Sequence, residues 1–79
     1  MKTVQQQAEE LKQSIERARV FSGERKSSLA ARANSTPSAY NHFMQEGHYP
    51  TIFTCISYAN AVGLRLVLVP MEKERTHAP

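Results

Sequence analysis

The feature that most constrains the fold is the stretch of residues 29–47, which is typical of two short helices joined by a tight turn. Small apolar residues recur at helical spacing in its first part, residues 29–33. Residues 34–37, Asn-Ser-Thr-Pro, then interrupt this period, because Asn tolerates a left-handed backbone and Thr is a good N-cap. Proline suits the first helical position, so a second helix is predicted from Pro37 to about Gln45.

The second helix of this pair is predicted to be amphipathic. Tyr40 and Phe43, together with Ala39, are expected to turn inward. The outer face then carries polar side chains, namely Ser38, Asn41, His42 and Gln45. Two short helices with a tight turn, the second bearing small polar residues outside, describe a helix-turn-helix motif with its recognition helix.

A longer helix is predicted before this pair, over residues 3–20. Thr3 followed by Gln6 is a capping-box pattern. One apolar stripe follows at spacings of three and four, formed by Val4, Ala8, Leu11, Ile15 and Ala18. The opposite face consists of Gln, Glu, Lys and Arg, so the stripe is interpreted as a core face.

Another helix is predicted after the pair, over residues 52–62, with Thr51 as its cap. It should close the core through a stripe of Ile52, Ile56 and Ala59, with Phe53 and Val62 at the margins. Cys55 fits as a small buried or half-buried residue.

Residues 64–69, Leu-Arg-Leu-Val-Leu-Val, change the period to two and predict a strand bounded by Gly63 and Pro70. The backbone N–H and C=O groups of one strand need hydrogen-bond partners on another strand. The simplest partner is the same strand of a second copy of the chain, related by a twofold axis. A homodimer is therefore predicted. Its dimerisation residues would be Leu64, Leu66, Val67, Leu68 and Val69. The alternative is that this segment is another helix.

Length and charge bound the class of protein. A chain of 79 residues makes one domain, predicted over residues 1–70, with a disordered tail over residues 71–79. The formal net charge is +3, and residues 25–45 hold three basic side chains and no acid. An acid-free basic face suits a polyanion such as nucleic acid.

Cysteine usage and hydropathy indicate the compartment. One cysteine excludes an intrachain disulfide and a multi-cysteine zinc site, so a cytoplasmic protein is expected. Neither a signal-peptide core nor an apolar run long enough to span a membrane is evident, and no membrane partner is expected.

Several of these residues together resemble the Xre (lambda-repressor-like) helix-turn-helix family. The shared features are the run Leu29-Ala-x-x-Ala33, the cap at Thr36, the inward Tyr40 and Phe43, and the closing Glu46-Gly47. With the ending Gly-Leu-Arg-Leu-Val-Leu-Val-Pro, residues 5–70 look like the HipB-like and HigA-like antitoxins of bacterial toxin–antitoxin operons. The resemblance implies a mainly α fold of four to five helices, with C-terminal strands pairing across a homodimer. It also implies a dimer that represses its own operon and can bind a toxin.

The chain departs from the family pattern at four positions. Asn34 stands where a Gly is usual, Ser35 where an aliphatic residue is usual, and Lys26 where a Gln is usual. Met44 replaces a frequent Glu, which leaves the register of the last helical turn open.

Base contacts are predicted on the first two turns of the second helix, because that part of the motif enters the major groove. The candidates are Pro37, Ser38, Asn41 and His42. His42 is the first choice, since either ring nitrogen can reach a base edge. Pro37 can offer only an apolar contact, and Asn41 could read adenine or hold the backbone.

Phosphate contacts are predicted at the helix starts and in the following loop, where a positive helix end or a polar side chain can meet the DNA backbone. The candidates are Lys26, Ser27, Thr36, Gln45, His48 and Tyr49. The simpler interpretation is that these are ordinary exposed polar residues, with Thr36 acting only as a cap.

An enzyme is not expected, because the chain contains no Asp and no recognisable nucleophile–base pair, and neither a cofactor nor a metal site is indicated. The leading hypothesis is a dimeric repressor that binds double-stranded DNA, an antitoxin at its own pseudo-palindromic operator. One alternative is a phage or plasmid regulator without a toxin. Another is a protein-binding module whose strand or tail engages a partner.

Overall fold

The computed structural model describes residues 2–71, which form α1 (Val4–Phe21), α2 (Lys26–Arg32), α3 (Pro37–Met44) and α4 (Ile52–Ala61). The prediction of a mainly helical domain is confirmed for these residues, with four helices. Three predicted starts are also confirmed. Thr3 caps α1 in a reciprocal capping box with Gln6, and the hydroxyls of Thr36 and Thr51 cap α3 and α4. Each cap satisfies amide donors that a helix leaves unpaired at its first turn.

The core lies where α2 contacts α3 and α4, with α1 packed against α3 and α4. Its centre is an aromatic layer in which the Tyr58 ring lies 5.1 Å from that of Tyr40 and 4.6 Å from that of Phe43. Leu29 and Ile15 bury their side chains against this layer. Such ring pairs contribute about 0.5–1.5 kcal/mol beyond area burial. The layer therefore joins α3 to α4 through their side chains, while the residues on the other side of α3 are exposed.

The prediction for the inward face of α4 is confirmed for Ala59 and Val62 but was wrong for the other three residues. Ile52 and Phe53 are 64% and 77% exposed, and Ile56 is 39% exposed. The buried residues are Cys55, Tyr58 and Ala59. Because α4 is apolar on most of its circumference, periodicity does not fix its rotation. The aromatic layer does so, since it recruits the Tyr58 ring.

Two smaller expectations were also wrong. Ala39 is exposed on α3 instead of facing inward, and Val4 is 78% exposed because the first turn of α1 extends past the core. The other stripe residues of α1 are buried or partly buried, led by Ile15. The core face predicted for α1 is thus confirmed from its second turn onward.

The turn between α2 and α3 has the backbone that its sequence predicted. Asn34 adopts the left-handed conformation with φ of 56°, and the Ser35 amide donates to the Ala30 carbonyl at 2.7 Å. The Ser35 hydroxyl lies 2.7 Å from the Tyr58 hydroxyl. A polar residue is therefore accommodated at this partly buried position, because its hydroxyl is paired.

Residues 64–71 follow α4 without regular secondary structure, and the described part of the chain contains no strand. Leu66 is partly buried against the core, whereas Leu68 is 99% exposed and Val67 and Val69 are also exposed. The predicted strand needs a second chain to pair with, so it stays a prediction. The predicted tail lies outside the described residues except for Met71. Among the helices described, none has the length and apolar character to cross a membrane.

Candidate nucleic-acid interface

The four candidate base contacts lie together on the exposed side of α3. Pro37, Ser38, Asn41 and His42 are all exposed. Their spacing places them on one face of a helix whose opposite face buries the rings of Tyr40 and Phe43. This face is therefore short, polar and held rigidly by the core behind it.

Lys26 at the start of α2 reaches across to this face. Its ammonium donates to the Asn41 side-chain oxygen at 3.0 Å. Asn41 retains its two amide N–H donors, but its acceptor already has a partner. Bidentate reading of adenine needs both a donor and an acceptor from Asn. Asn41 thus keeps both amide donors and one lone pair of its oxygen, so it can either donate to a phosphate oxygen or read adenine.

The candidate phosphate contacts at the helix starts surround the N-terminal half of α3. Ser27 is exposed in the first turn of α2, and the Thr36 hydroxyl accepts from the Ala39 amide at 3.1 Å. The Thr36 hydroxyl proton remains available as a donor. Gln45 and Tyr49 are also exposed, just beyond the end of α3. Thr36 stands at the start of α3 and Gln45 at its end, whereas Tyr49 lines a groove with the acidic residues Glu9, Glu10 and Glu46.

His48 lies beside the same face and is partly buried. Its ring centroid is 4.1 Å from that of His42. Burial lowers the pKa of His48, and the neighbouring His42 and Lys12 act in the same direction. The lowered pKa favours the neutral form of His48, which can meet a phosphate as a hydrogen-bond donor.

Lys12 is the residue that the sequence interpretation placed wrongly, on the polar face of α1. It is 1% exposed, and its ammonium donates to the carbonyls of Gln45 and His48 at 2.9 Å each. The same ammonium lies 3.2 Å from a Glu9 carboxylate oxygen. The sequence contains a pattern that indicates this burial, because Ala8, Lys12 and Ile15 follow the i, i+4, i+7 spacing of one helix face.

Glu9 makes a second tie from α1 to the loop after α3. Its Oε2 atom accepts from the Gly47 amide at 3.2 Å, and this hydrogen bond is the main reason that the pKa of Glu9 is lowered. Gly47 has φ of +84°, a conformation that disfavours residues with a Cβ atom. The loop that carries His48 is thus held by side chains of α1.

The expectation of an acid-free basic face around residues 25–45 was wrong in three dimensions. Arg32 forms an ion pair with Glu24 and donates to the Ala61 carbonyl at 3.1 Å. It therefore links α2 to the end of α4 and is not part of the outer surface of α3. The basic residues left near the candidate face are Arg25 and Lys26, both exposed.

The described residues contain no cluster of three or more His, Cys, Asp and Glu side chains that could hold a metal ion. Cys55 is buried, and burial raises the pKa of its thiol. The thiol is therefore protonated at pH 7 and packs as part of the core.

Comparison of the chain with protein-family models, with curated proteins and with solved structures finds no match. The resemblance to the Xre family consequently depends on the residues of the α2–α3 unit and on the ending of the chain. The proposals below depend on the geometry of α3 and its neighbours.

Proposed function

We propose that the protein is a dimeric, sequence-specific DNA-binding repressor in which α3 enters the major groove. The observation that carries this proposal is the exposed row of Pro37, Ser38, Asn41 and His42, backed by a buried aromatic layer. A rigid helix with short polar side chains on its first two turns has the shape and chemistry that base reading requires.

Within this proposal, Ser38 and His42 read base edges, and Pro37 offers an apolar contact, for instance to a thymine methyl group. Asn41 either reads a base edge or holds a phosphate together with Lys26, whose ammonium donates to the Asn41 side-chain oxygen at 3.0 Å. Ser27, Thr36, Gln45, His48 and Tyr49 are the further phosphate contacts. Phosphate contacts of this kind set the register of the helix in the groove.

A second copy of the chain completes the proposed binding site. The two or three base contacts of one chain are too few to specify an operator. A dimer with a twofold axis doubles the number of base contacts. The exposure of Val67, Leu68 and Val69 supports pairing of residues 64–69 with a second chain, because apolar side chains in a row gain free energy when they are covered. Leu66 already packs against its own core and would contribute least.

The proposed setting is a toxin–antitoxin operon, where the dimer represses its own promoter and binds a toxin. This part is supported by the resemblance of the α2–α3 unit and the chain ending to HipB-like and HigA-like antitoxins. A neighbouring reading frame that encodes a kinase-like or nuclease-like toxin would support it. A phage or plasmid regulator would lack such a neighbour.

The proposal is tested by selecting bound fragments from a random double-stranded DNA pool with the purified protein. A pseudo-palindrome with half-sites about one DNA turn apart is expected, with binding that weakens as salt rises. Ser38→Ala and His42→Ala should each reduce the preference for the selected site by about 1–3 kcal/mol. Recovery of no shared sequence would refute sequence-specific binding and would favour a protein-binding module.

Matched controls exist on the far side of the domain. Ser28 and Asn60 line a shallow groove with Arg32, away from the outer face of α3. Ser28→Ala and Asn60→Ala should leave the preference for the selected site unchanged. Equal losses from control and test variants would show that α3 is not the reading element.

A further inference from the structure

The ammonium of Lys12 is saturated by its surroundings. A lysine has three N–H donors, and Lys12 has three acceptors within reach, namely the Gln45 and His48 carbonyls and the Glu9 carboxylate. A buried ammonium is tolerated only when it is paired and hydrogen-bonded in this way. The end of α3 and the loop after it are thus fixed by groups on α1.

The loop in turn contacts one of the proposed base-reading residues. Lys12 holds the His48 carbonyl, and Glu9 holds the neighbouring Gly47 amide at 3.2 Å. With its backbone held from both sides, His48 places its ring 4.1 Å from the ring of His42. The rings are inclined at 44°, so the ring of His48 limits how the exposed His42 ring can rotate.

From these contacts we infer that Lys12, Glu9 and His48 are positioning residues that set the orientation of the His42 ring. None of the three needs to touch a base to affect which base pair His42 accepts. A side chain that is already ordered loses less conformational freedom when it binds. The inference rests on the proposed function only for the identity of what His42 then contacts.

Charge favours the same arrangement. The groups facing His48 are His42 and the Lys12 ammonium, both cationic or able to become so, while Glu9 faces Lys12 and Gly47. A neutral His48 can lie against His42 without repulsion, whereas two cationic rings would repel each other. The arrangement therefore holds best at pH values at which His48 has lost its proton.

The inference is tested first without DNA, by NMR of the histidine rings in the full chain. In Lys12→Met, the His48 pKa should rise toward its ordinary value, the His42 ring resonances should shift, and the Gly47 amide should exchange faster. Lys2→Met is the matched control, because Lys2 pairs with Glu10 on the exposed surface. A folded Lys12→Met protein with unchanged His42 and His48 resonances would overturn the inference.

Removal of Lys12 takes one donor from each of two part-buried carbonyls, although the Gln45 carbonyl keeps the His48 amide as a donor, so a milder series accompanies it. Glu9→Ala should speed Gly47 amide exchange and shift the His42 ring resonances while Lys12 stays in place. Lys12→Arg should restore part of the wild-type spectrum, because guanidinium can also reach the two carbonyls. Glu9→Ala resonances identical to those of the wild type would count against the positioning role even if Lys12→Met does not fold.

The second arm uses the DNA fragments selected with the wild-type protein. Lys12→Met or Glu9→Ala should reduce discrimination at the base pair read by His42 by about tenfold, the equivalent of one base contact. Binding to unrelated DNA should change little, because a phosphate contact would weaken all sequences alike. Unchanged discrimination with altered ring resonances would overturn the positioning role in binding. If the wild-type protein selects no sequence, the proposed function fails, and the NMR arm alone decides whether α1 orients His42.

Discussion

Phe43 and Phe53 are both phenylalanines on helices, yet the structure predicts opposite consequences for their removal. Phe43 is 2% exposed, and its ring centroid lies 4.6 Å from that of Tyr58 and 5.9 Å from that of Tyr40. Phe53 is 77% exposed on the outer side of α4. The sequence pattern alone predicted that Phe43 turns inward and that Phe53 lies at the margin of the core-facing stripe of α4.

The expected cost of Phe43→Ala is about 4 kcal/mol, the middle of the range for removing a buried phenylalanine. At about 0.05–0.15 kcal/mol per residue, a domain of 79 residues has roughly 4–12 kcal/mol in total. Phe43→Ala should therefore lose between about a third and all of the free energy of unfolding. Phe43→Leu, which keeps more of the volume, should cost about 1.5 kcal/mol. Phe53→Ala should change the free energy of unfolding by less than about 0.5 kcal/mol.

Urea unfolding followed by circular dichroism measures these differences as shifts in midpoint at constant m-value. The measurement is made at several protein concentrations, because association of folded chains adds stability that grows with concentration. A loss of more than about 2 kcal/mol for Phe53→Ala at every concentration would refute the rotation assigned to α4. A loss that appears only at high concentration would mean that Phe53 is covered by a second copy.

Three further predictions concern polar contacts. The hydrogen bond from the Arg19 guanidinium lowers the pKa of Glu16 below its ordinary value of 4.5. The ion pair therefore stabilises the fold above pH 4.5, and this stabilisation is lost as the pH falls through the lowered pKa. Glu16→Gln should make the free energy of unfolding less dependent on pH in this range, as measured by acid unfolding. Asn34 has a φ of 56°, which is unfavourable for a residue with a Cβ atom other than Asn or Asp. Asn34→Ala should therefore lower the free energy of unfolding by about 1 kcal/mol in urea unfolding, whereas Asn34→Gly should change it little. Tyr58→Phe and Ser35→Ala should each cost about 0.5–1.5 kcal/mol, and a double-mutant cycle should show coupling, since each removes the same hydrogen bond. Additive losses would show that the two hydroxyls act independently.

The helix starts were predictable because caps are local. Thr3, Thr36 and Thr51 each satisfy amides only three residues away, so a short window of sequence contains both partners. The left-handed Asn34 was predictable for the same reason. Most of the candidate site was also predictable, since exposure of Ser38 and His42 follows from burial of Tyr40 and Phe43 on the other side of one helix.

The parts that were wrong depend on partners far away in sequence. The rotation of α4 depends on Tyr58 meeting Tyr40 and Phe43, because several rotations of an apolar helix bury similar numbers of aliphatic groups. The surroundings of Arg32 depend on Glu24 and on the end of α4. No periodic pattern within one helix contains that information.

The sequence by itself determined four things about this protein: a mainly helical fold, the caps, the turn at Asn34 and the polar outer row on α3. Each is set by neighbours within one or two helical turns, where propensity and hydrogen bonding act locally. The spacing with Ala8 and Ile15 turns Lys12 toward the core side of α1, but only the tertiary structure decided that its ammonium is buried. An ammonium can leave water only where three acceptors converge on it, and two of these come from residues 33 and 36 positions further along the chain.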